Sequence, residues 1–190
     1  LEFRRVLFRS EVVTDAQANI YAFGTFNGTL SVYNSSGTLT ATTLTVVGST
    51  DFVLVKYNPA GTVLWRVKMG TTLADSLTSP TDPLAIDAGG NVFCTGTYGN
   101  GTMTMYNSSD VATGNTLLTI GTTNSFFVKY SPTGSPLWVA RAGCGASGAC
   151  QGSGATVDST ASDGANVTAS VNDSMCRTHY PQRPIFTQRS

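Results

Sequence analysis

The chain has 190 residues, 41% of them hydrophobic and 12% charged, and its formal net charge is zero at pH 7. Between residues 11 and 176, five lysines and arginines stand against ten aspartates and glutamates, so this region carries a net charge of −5. A mildly acidic surface without a basic stripe argues against a nucleic-acid partner, because such binding depends on neutralising phosphates. No apolar run reaches the length of a membrane span.

The first ten residues, LEFRRVLFRS, share nothing with the rest of the chain. They match the translation of a common sequencing adapter, so residues 1–10 are interpreted as a non-native leader and excluded from fold reasoning. On this interpretation the chain is a fragment with an open start, and the absence of a signal peptide carries no information.

Short strand patterns follow this leader. Residues 15–25, DAQANIYAFGT, combine an Asp-x-x-x-Asn turn signal with aromatic and β-branched residues. Residues 52–57, FVLVKY, form a nearly continuous apolar run, which is typical of a strand buried on both faces, although periodicity alone leaves a short buried helix open. The turn NPAG comes next, with a proline that fixes φ and a glycine that tolerates positive φ. Residues 62–70, TVLWRVKMG, then return as the paired strand.

The same sequence segments recur 72 or 73 residues later. NGTLSVYNSS (27–36) returns as NGTMTMYNSS (100–109), and DAQANIYAFGT returns as DAGGNVFCTGT (87–97). A register kept over most of the chain identifies an internal repeat, which is the signature of solenoids, propellers and arrays. The equivalent pairs at a spacing of 73 include Tyr57 and Tyr130, Gly61 and Gly134, and Trp65 and Trp138.

The repeat fades towards the end of the chain. GATVDSTASDGANVTAS (154–170) keeps the turn-and-strand pattern only in part. Residues 171–190 follow no repeat pattern and are interpreted as a frame error or disorder rather than a functional tail. The predicted organisation is therefore a leader at 1–10, a repeat region at 11–170 and an irregular tail at 171–190.

The order D-x-x-G-N-V-[YF]-x-T-G, then F-V-x-K-Y-x-P-x-G-x-x-L-W, resembles the bacterial-type β-propeller repeat known as the SBBP repeat over roughly residues 12–143. The resemblance implies an all-β fold, a partial β-propeller of antiparallel four-stranded blades with about two repeats and a degenerate third. The family is usually secreted or on the cell surface, and it supplies no catalytic residues. Propellers close with about four to eight blades, so neighbouring blades are expected partners.

The period of 73 residues exceeds the roughly 40–50 residues of a common propeller repeat. The additional residues lie at 32–49 and at 105–122. They are predicted to form an added strand pair or loop in each blade.

The repeated aromatic residues are predicted to be structural anchors rather than ligand contacts. Trp65, Trp138, Tyr57 and Tyr130 could form a sugar-stacking surface, but their equivalent positions favour packing of one repeat on the next. Gly61 and Gly134 complete this set of anchors by forming the turns.

The charged residues of the repeat favour structural roles over catalysis or metal binding. Lys56 and Lys129 lie in apolar strands, where a lysine more often protects an edge or extends its head group to water than acts as a base. Asp15 and Asp87 lack the ladder of oxygen ligands that calcium requires, so hydrogen bonds to their own turns are favoured. The single histidine, His179, lies in the tail. No catalytic, cofactor-binding or metal-binding residue is predicted.

Cysteines and glycosylation sequons suggest an oxidising compartment. Cys144 and Cys150 bracket a small-residue loop and could form a disulfide, while Cys94 is predicted to be a buried thiol. Asn-x-Ser/Thr sequons recur at matching positions of the two repeats, which predicts exposed loops and an extracellular or cell-surface location. The candidate glycosylation sites are Asn27, Asn34, Asn100 and Asn107, with further sequons at Asn166 and Asn172.

Two function classes remain open. The first is a non-catalytic extracellular propeller module whose loops bind a protein or glycan. The alternative is a fragment of a propeller enzyme whose catalytic residues lie on other blades. The segments that differ most between the repeats, residues 71–83 and 144–155, are predicted to carry the partner contacts.

Overall fold

The structure, a computed structural model, describes residues 10–40, 43–77 and 83–143, together with the backbone of three strands after residue 150. These residues form antiparallel strands joined by turns, and no helix occurs among them. The strands are β1 (Glu11–Thr14), β2 (Ile20–Phe26), β3 (Thr29–Leu30), β4 (Leu44–Thr45), β5 (Asp51–Tyr57), β6 (Val63–Gly70), β7 (Leu84–Ile86), β8 (Val92–Tyr98), β9 (Thr102–Tyr106), β10 (Ala112–Leu118), β11 (Asn124–Tyr130), β12 (Pro136–Gly143), β13 (Gln151–Val157), β14 (Val167–Asn172) and β15 (Phe186–Thr187).

The two repeats form two sheets with one topology. In the first repeat the strand order is β1-β2-β5-β6, and in the second it is β7-β8-β11-β12, with antiparallel pairing throughout. The apolar runs that begin at Phe52 and Phe126 form the third strand of each sheet, β5 and β11. Each repeat therefore contributes a four-stranded antiparallel blade, as the sequence predicts.

Each repeat contains an added strand pair, one of the two expected alternatives, and its first strand begins before the additional residues. In the first repeat the pair is β3–β4, and in the second it is the longer β9–β10 hairpin. Strand β9 also pairs with β6 of the first repeat, with Met69 opposite Met105 and Gly70 opposite Thr104. The first sheet thereby grows to six strands, and a strand pair from one repeat extends the blade of the repeat before it.

Aromatic side chains fill the space between the two sheets. The rings of Phe23 and Phe52 stack with centroids 5.8 Å apart, and Phe126 of the second repeat meets Phe52 edge-on at 4.9 Å. A Cβ at Gly96 would collide with the rings of Phe52 and Phe126. Because glycine has no side chain, both rings can pack against β8 at this position. Burial of such rings dominates core energetics and holds the two blades together.

The described part of the connection between the blades is partly buried. Residues 71–77 bridge both sheets, because Asp75 N donates to the carbonyl of Thr50 at 3.0 Å and Ser76 exchanges two hydrogen bonds with Thr97. Asp75 and Leu77 are buried. Residues 72–74 and 76 are exposed, so the partner contacts expected of this segment stay a prediction. Residues 78–82 and 144–150 of the two variable segments lie outside the described residues.

A third sheet has the order β13-β14-β15. Strand β14 begins within the stretch of 154–170 that keeps part of the repeat pattern. The short β15 pairs with β14 through Ala169 and Thr168, so residues 186–187 of the predicted irregular tail form a strand.

A candidate binding cleft between the repeats

An open cleft of about 390 Å³ lies where the first repeat meets the second. One wall is formed by the beginning of β6 with Lys56 of β5, and Thr40 of the first insertion borders it. The opposite wall comes from two turns of the second repeat. The lining residues are Thr40, Lys56, Val63, Leu64, Trp65, Arg66, Ser108, Pro132 and Thr133. Apolar surface, hydroxyl groups and two basic residues therefore share one concave site, which is the usual composition of a binding pocket.

Trp65 forms the floor of this junction. Its side chain is only 7% exposed, and its indole Nε1 donates to the carbonyl of Pro132 at 2.8 Å. Tyr21 packs edge-on against the indole at a centroid distance of 6.0 Å, and Gly134 also packs against the ring. The turn of the second repeat thus covers the tryptophan of the first, which makes Trp65 an inter-repeat contact and not an open stacking platform.

Trp138 occupies the equivalent strand position in a different environment. It is half-buried, and its ring lies 6.1 Å from that of Phe93. The strand that carries it, β12, is the edge strand of its sheet.

The two tyrosine anchors also differ. Tyr130 is fully buried, and its hydroxyl donates to the carbonyl of Tyr106 at 3.3 Å. Burial raises the pKa of Tyr130 well above its ordinary value. Tyr57 is half-buried, and burial raises its pKa as well. Both glycine anchors adopt positive φ, +77° at Gly61 and +79° at Gly134, as the turn pattern requires.

The lysines of the apolar strands pair with the aspartates of the turns. Lys56 Nζ lies 4.0 Å from Asp15 Oδ2 and 4.9 Å from the ring centre of Tyr21. The same arrangement recurs in the second repeat, where Lys129 Nζ is 3.6 Å from Asp87 and 5.0 Å from the ring centre of Phe93. Ion pairing and the aromatic face together explain how a lysine is accommodated in each buried strand.

These aspartates also close their own turns. Asp15 accepts hydrogen bonds from the backbone N and the side-chain Nδ2 of Asn19, both at 2.8 Å, and Asp87 accepts the same pair from Asn91 at the same distances. Burial raises the pKa of Asp15, but the hydrogen bonds, led by those from Asn19, outweigh burial and hold its pKa below the ordinary value. The interpretation of the Asp-x-x-x-Asn pattern as a turn is confirmed.

Two carboxylates near the opposite end of the blades are buried, which the sequence did not predict. Asp51 accepts from the backbone N of Val47 at 2.6 Å, and Asp75 accepts from the N and Oγ1 of Thr71 at 2.7 and 3.1 Å. Burial raises the pKa of both groups, and with a contribution from the charge of Asp51 it brings that of Asp75 to about 7. The signal in the sequence was weak, because Asp51 is Asn124 in the second repeat.

The sequons fall into two groups. Asn27 and Asn100 are exposed at equivalent positions. Asn34 and Asn107 are half-buried, and their Oδ1 atoms accept hydrogen bonds from backbone N–H groups, that of Val63 in one case and those of Ser109 and Val111 in the other. The first pair therefore offers the more accessible acceptors for modification. Asn166 lies outside the described residues, and for Asn172 the structure describes the backbone alone.

Of the three cysteines with a predicted role, the structure describes Cys94. Cys94 is a buried free thiol in the middle of β8, and burial raises its pKa well above the ordinary value. Cys144 and Cys150 lie outside the described residues, so their disulfide stays a prediction.

Within the described ranges, no cluster of three or more His, Cys, Asp and Glu side chains is placed to hold a metal ion. No helix in the same ranges could span a membrane.

These observations define an all-β repeat protein built from antiparallel four-stranded blades, the construction of a β-propeller. No family model matches the chain. Over 105 residues the chain is 29% identical to an uncharacterized WD repeat-containing protein of Acanthamoeba polyphaga mimivirus, a match that covers 48% of this chain and 8% of that protein. This weak relation supports a propeller-like repeat, while membership of the SBBP family stays a prediction.

Proposed function

We propose that the chain is a non-catalytic, propeller-type repeat module that binds a protein partner in the cleft between its two repeats. The observation that carries the proposal is the cleft of about 390 Å³ at the junction of the blades, with apolar, hydroxyl and basic groups on its walls. Binding sites are typically concave, with a few polar groups that orient the ligand on an apolar surface. The similarity to a WD repeat-containing protein agrees with a module built from repeated blades.

A protein partner fits the cleft better than a stacked sugar. Trp65 is covered by the turn of the second repeat, and its indole N–H is already bonded to Pro132. Leu64, in contrast, lines the cleft and is 50% exposed, so a partner would bury apolar surface there. Burial of apolar surface supplies most of the driving force for protein association.

The chain offers a matched pair of residues for a test. Leu64 of β6 lines the cleft, and Leu137 of β12 has the equivalent position in the second repeat with nearly the same exposure, 52%. Peptides would be selected from a displayed library on the unmodified protein, and their dissociation constants measured on Leu64→Glu and Leu137→Glu. We expect Leu64→Glu to weaken binding by at least about tenfold, as for an interface residue at the edge of a hot spot. Leu137→Glu should leave the affinity unchanged.

Equal losses in the two variants would contradict a site in this cleft, as would selected peptides that bind both variants normally. Carbohydrate arrays probed with the same proteins would distinguish the glycan alternative, because glycan binding that survives Leu64→Glu would overturn the assignment to a protein partner.

An extracellular or cell-surface location is also proposed. Exposed sequons at the equivalent residues Asn27 and Asn100 support it, and secretion is usual in the family that the repeat resembles. In a secreting eukaryotic host, both residues should carry a glycan that peptide N-glycosidase removes, and Asn27→Gln or Asn100→Gln should each remove one glycan mass. Unmodified secreted protein would remove this support.

A further inference from the structure

The β9–β10 hairpin of the second repeat pairs with β6, the last strand of the first repeat. Strand β9 adds to β6 through Met69 and Gly70, and Lys68 of β6 lies with Nζ 3.1 Å from Asp110 and 4.5 Å from the ring centre of Tyr106. The junction therefore has two parts: a short stretch of backbone pairing, and a cation that lies over an aromatic ring of the hairpin.

The first repeat carries the same hairpin without a strand against its outer edge. Thr29 pairs with Thr45 and Leu30 with Leu44, in the register of Thr102–Leu118 and Met103–Leu117 in the second repeat. Beyond these two pairs β3 ends. Pairing resumes at the bridge between Tyr33 and Leu39, the counterpart of Tyr106–Ala112, where the buried Val32 accepts from the backbone N of Thr40 at 2.9 Å. Residues 31 and 32 are the counterparts of Thr104 and Met105, the two residues that pair with β6. In the described part of the chain, β3 and β4 form a sheet of two strands alone.

Side-chain exposure matches this difference. Tyr33 is the counterpart of Tyr106, and its side chain is 50% exposed, whereas Tyr106 is half-buried under Lys68. Leu39, across the bridge from Tyr33, is also exposed. Open strand edges with exposed apolar side chains are templates for the addition of another strand.

We propose that the outer edge of the first insertion, residues 30–33, is a docking site for a β-strand of the kind formed by residues 63–70. The occupant is the last strand of another repeat of this type, which ends in a cation, an apolar residue and glycine. The backbone of residues 31 and 32 pairs with the last two residues of that strand, and its cation lies over the ring of Tyr33. Addition of a strand to an open edge derives its affinity from backbone hydrogen bonds and its specificity from alternate side chains.

One difference between the two hairpins determines how strongly a strand is expected to bind at residues 30–33. The position of Asp110 in the second repeat is occupied by Gly37 in the first, so the docked cation would contact the aromatic ring without an ion pair. The interaction at residues 30–33 is therefore weaker than the Lys68 junction and depends mainly on Tyr33.

The test uses the full chain and a labelled synthetic peptide of sequence VLWRVKMG, which reproduces residues 63–70. We expect saturable binding with protection of the amides of residues 30–33 from hydrogen exchange. The variant Tyr33→Ala should weaken binding by about fivefold or more, as should a peptide with glutamate in place of its lysine, because each removes the cation–π contact. The control Leu137→Ala, at an exposed leucine outside the hairpin, should bind the peptide normally.

Protection at another strand, or equal affinity of the unmodified protein and Tyr33→Ala, would overturn the assignment. So would a glutamate peptide that binds as well as the lysine peptide. Self-association of the chain that Tyr33→Ala abolishes, with no binding of the peptide, would assign the edge to a surface of a second copy other than a strand of this kind and reject the proposed occupant. None of these readouts uses the cleft around Leu64, so failure here leaves the proposed function intact.

Discussion

The indole N–H of Trp65 donates to the backbone carbonyl of Pro132, 67 residues further along the chain and in the next repeat, at 2.8 Å. A hydrogen bond between the last strand of one blade and a turn of the next fixes how the two blades meet. Because Gly134 of the same turn packs on the indole ring, the turn can follow the ring closely. The junction between the repeats is therefore a specific contact and forms the floor of the candidate cleft.

The two tryptophans should differ in their contribution to stability. Trp65→Ala removes a buried ring and a hydrogen bond, and should lower the free energy of unfolding by about 3–5 kcal/mol. Trp138→Ala should cost about 1–2 kcal/mol, because a half-buried side chain removes less apolar surface from water. Urea unfolding of the two variants measures the difference. Equal losses would show that Trp138 is as well covered as Trp65.

Gly134 should be sensitive to substitution for two reasons. Its φ is +79°, and a Cβ there would lie 3.0 Å from Cδ2 of Trp65. Gly37 has a similar φ of +76°, but a Cβ added there would meet no atom within 4 Å. Both Gly→Ala variants should lose about 1–2 kcal/mol from the left-handed backbone. Only Gly134→Ala should lose more, through crowding of the indole, and thermal unfolding compares the two.

Stability should depend on pH through Asp75. Burial, with a smaller contribution from the Asp51 charge, raises the pKa of Asp75 in the folded protein to about 7, whereas an unfolded aspartate titrates near 4. Between these values the folded state binds more protons, so the free energy of unfolding should fall as pH rises from about 4 to about 7. Asp75→Asn should flatten this decrease in chemical unfolding measured across the pH range. A slope that persists in Asp75→Asn would assign the effect to another group.

The Asp51→Asn variant should be tolerated, because asparagine occupies the equivalent position 124 and its Oδ1 accepts from the backbone N of Ile120. The carboxylate of Asp51 raises the pKa of Asp75 by charge repulsion. Its removal should therefore lower the pKa of Asp75 and move the upper end of the pH-dependent window below 7. The window measured by chemical unfolding should stay in place if the two carboxylates do not interact.

Lys68 and Asp110 should be energetically coupled. Their 3.1 Å ion pair joins β6 to the hairpin of the second repeat, and the lysine is nearly buried while the aspartate is partly exposed. A double-mutant cycle of Lys68→Met and Asp110→Asn should give a coupling of about 1 kcal/mol, at the upper end of values for exposed pairs. The coupling should shrink in high salt. Strictly additive losses would show that the pair contributes nothing to the junction.

Much of the architecture was accessible from the sequence by itself. The spacing of Trp65 and Trp138 identified two equivalent units, the apolar runs at 52–57 and 126–130 located the buried strands, and the Asp-x-x-x-Asn pattern identified turns. These features depend on local chemistry: alternation and apolar runs determine which segments become strands, and aspartate and asparagine bond to their own turn backbone. The sequence also predicted that each repeat carries additional residues, as a strand pair or a loop.

Only the tertiary structure decided how the equivalent residues differ. Trp65 is covered by the turn at Pro132 while Trp138 lies on an edge strand, because burial depends on the neighbouring blade and not on the residue itself. Asp75 lies in the segment 71–83, predicted to be a loop that carries partner contacts, yet its side chain is buried and its backbone N donates to the carbonyl of Thr50. The outer edge of the second hairpin pairs with β6, whereas in the described residues no strand pairs with the edge of its counterpart in the first repeat, which has the same sequence pattern. Pairing between distant strands is non-local, so the pattern of one repeat cannot specify it.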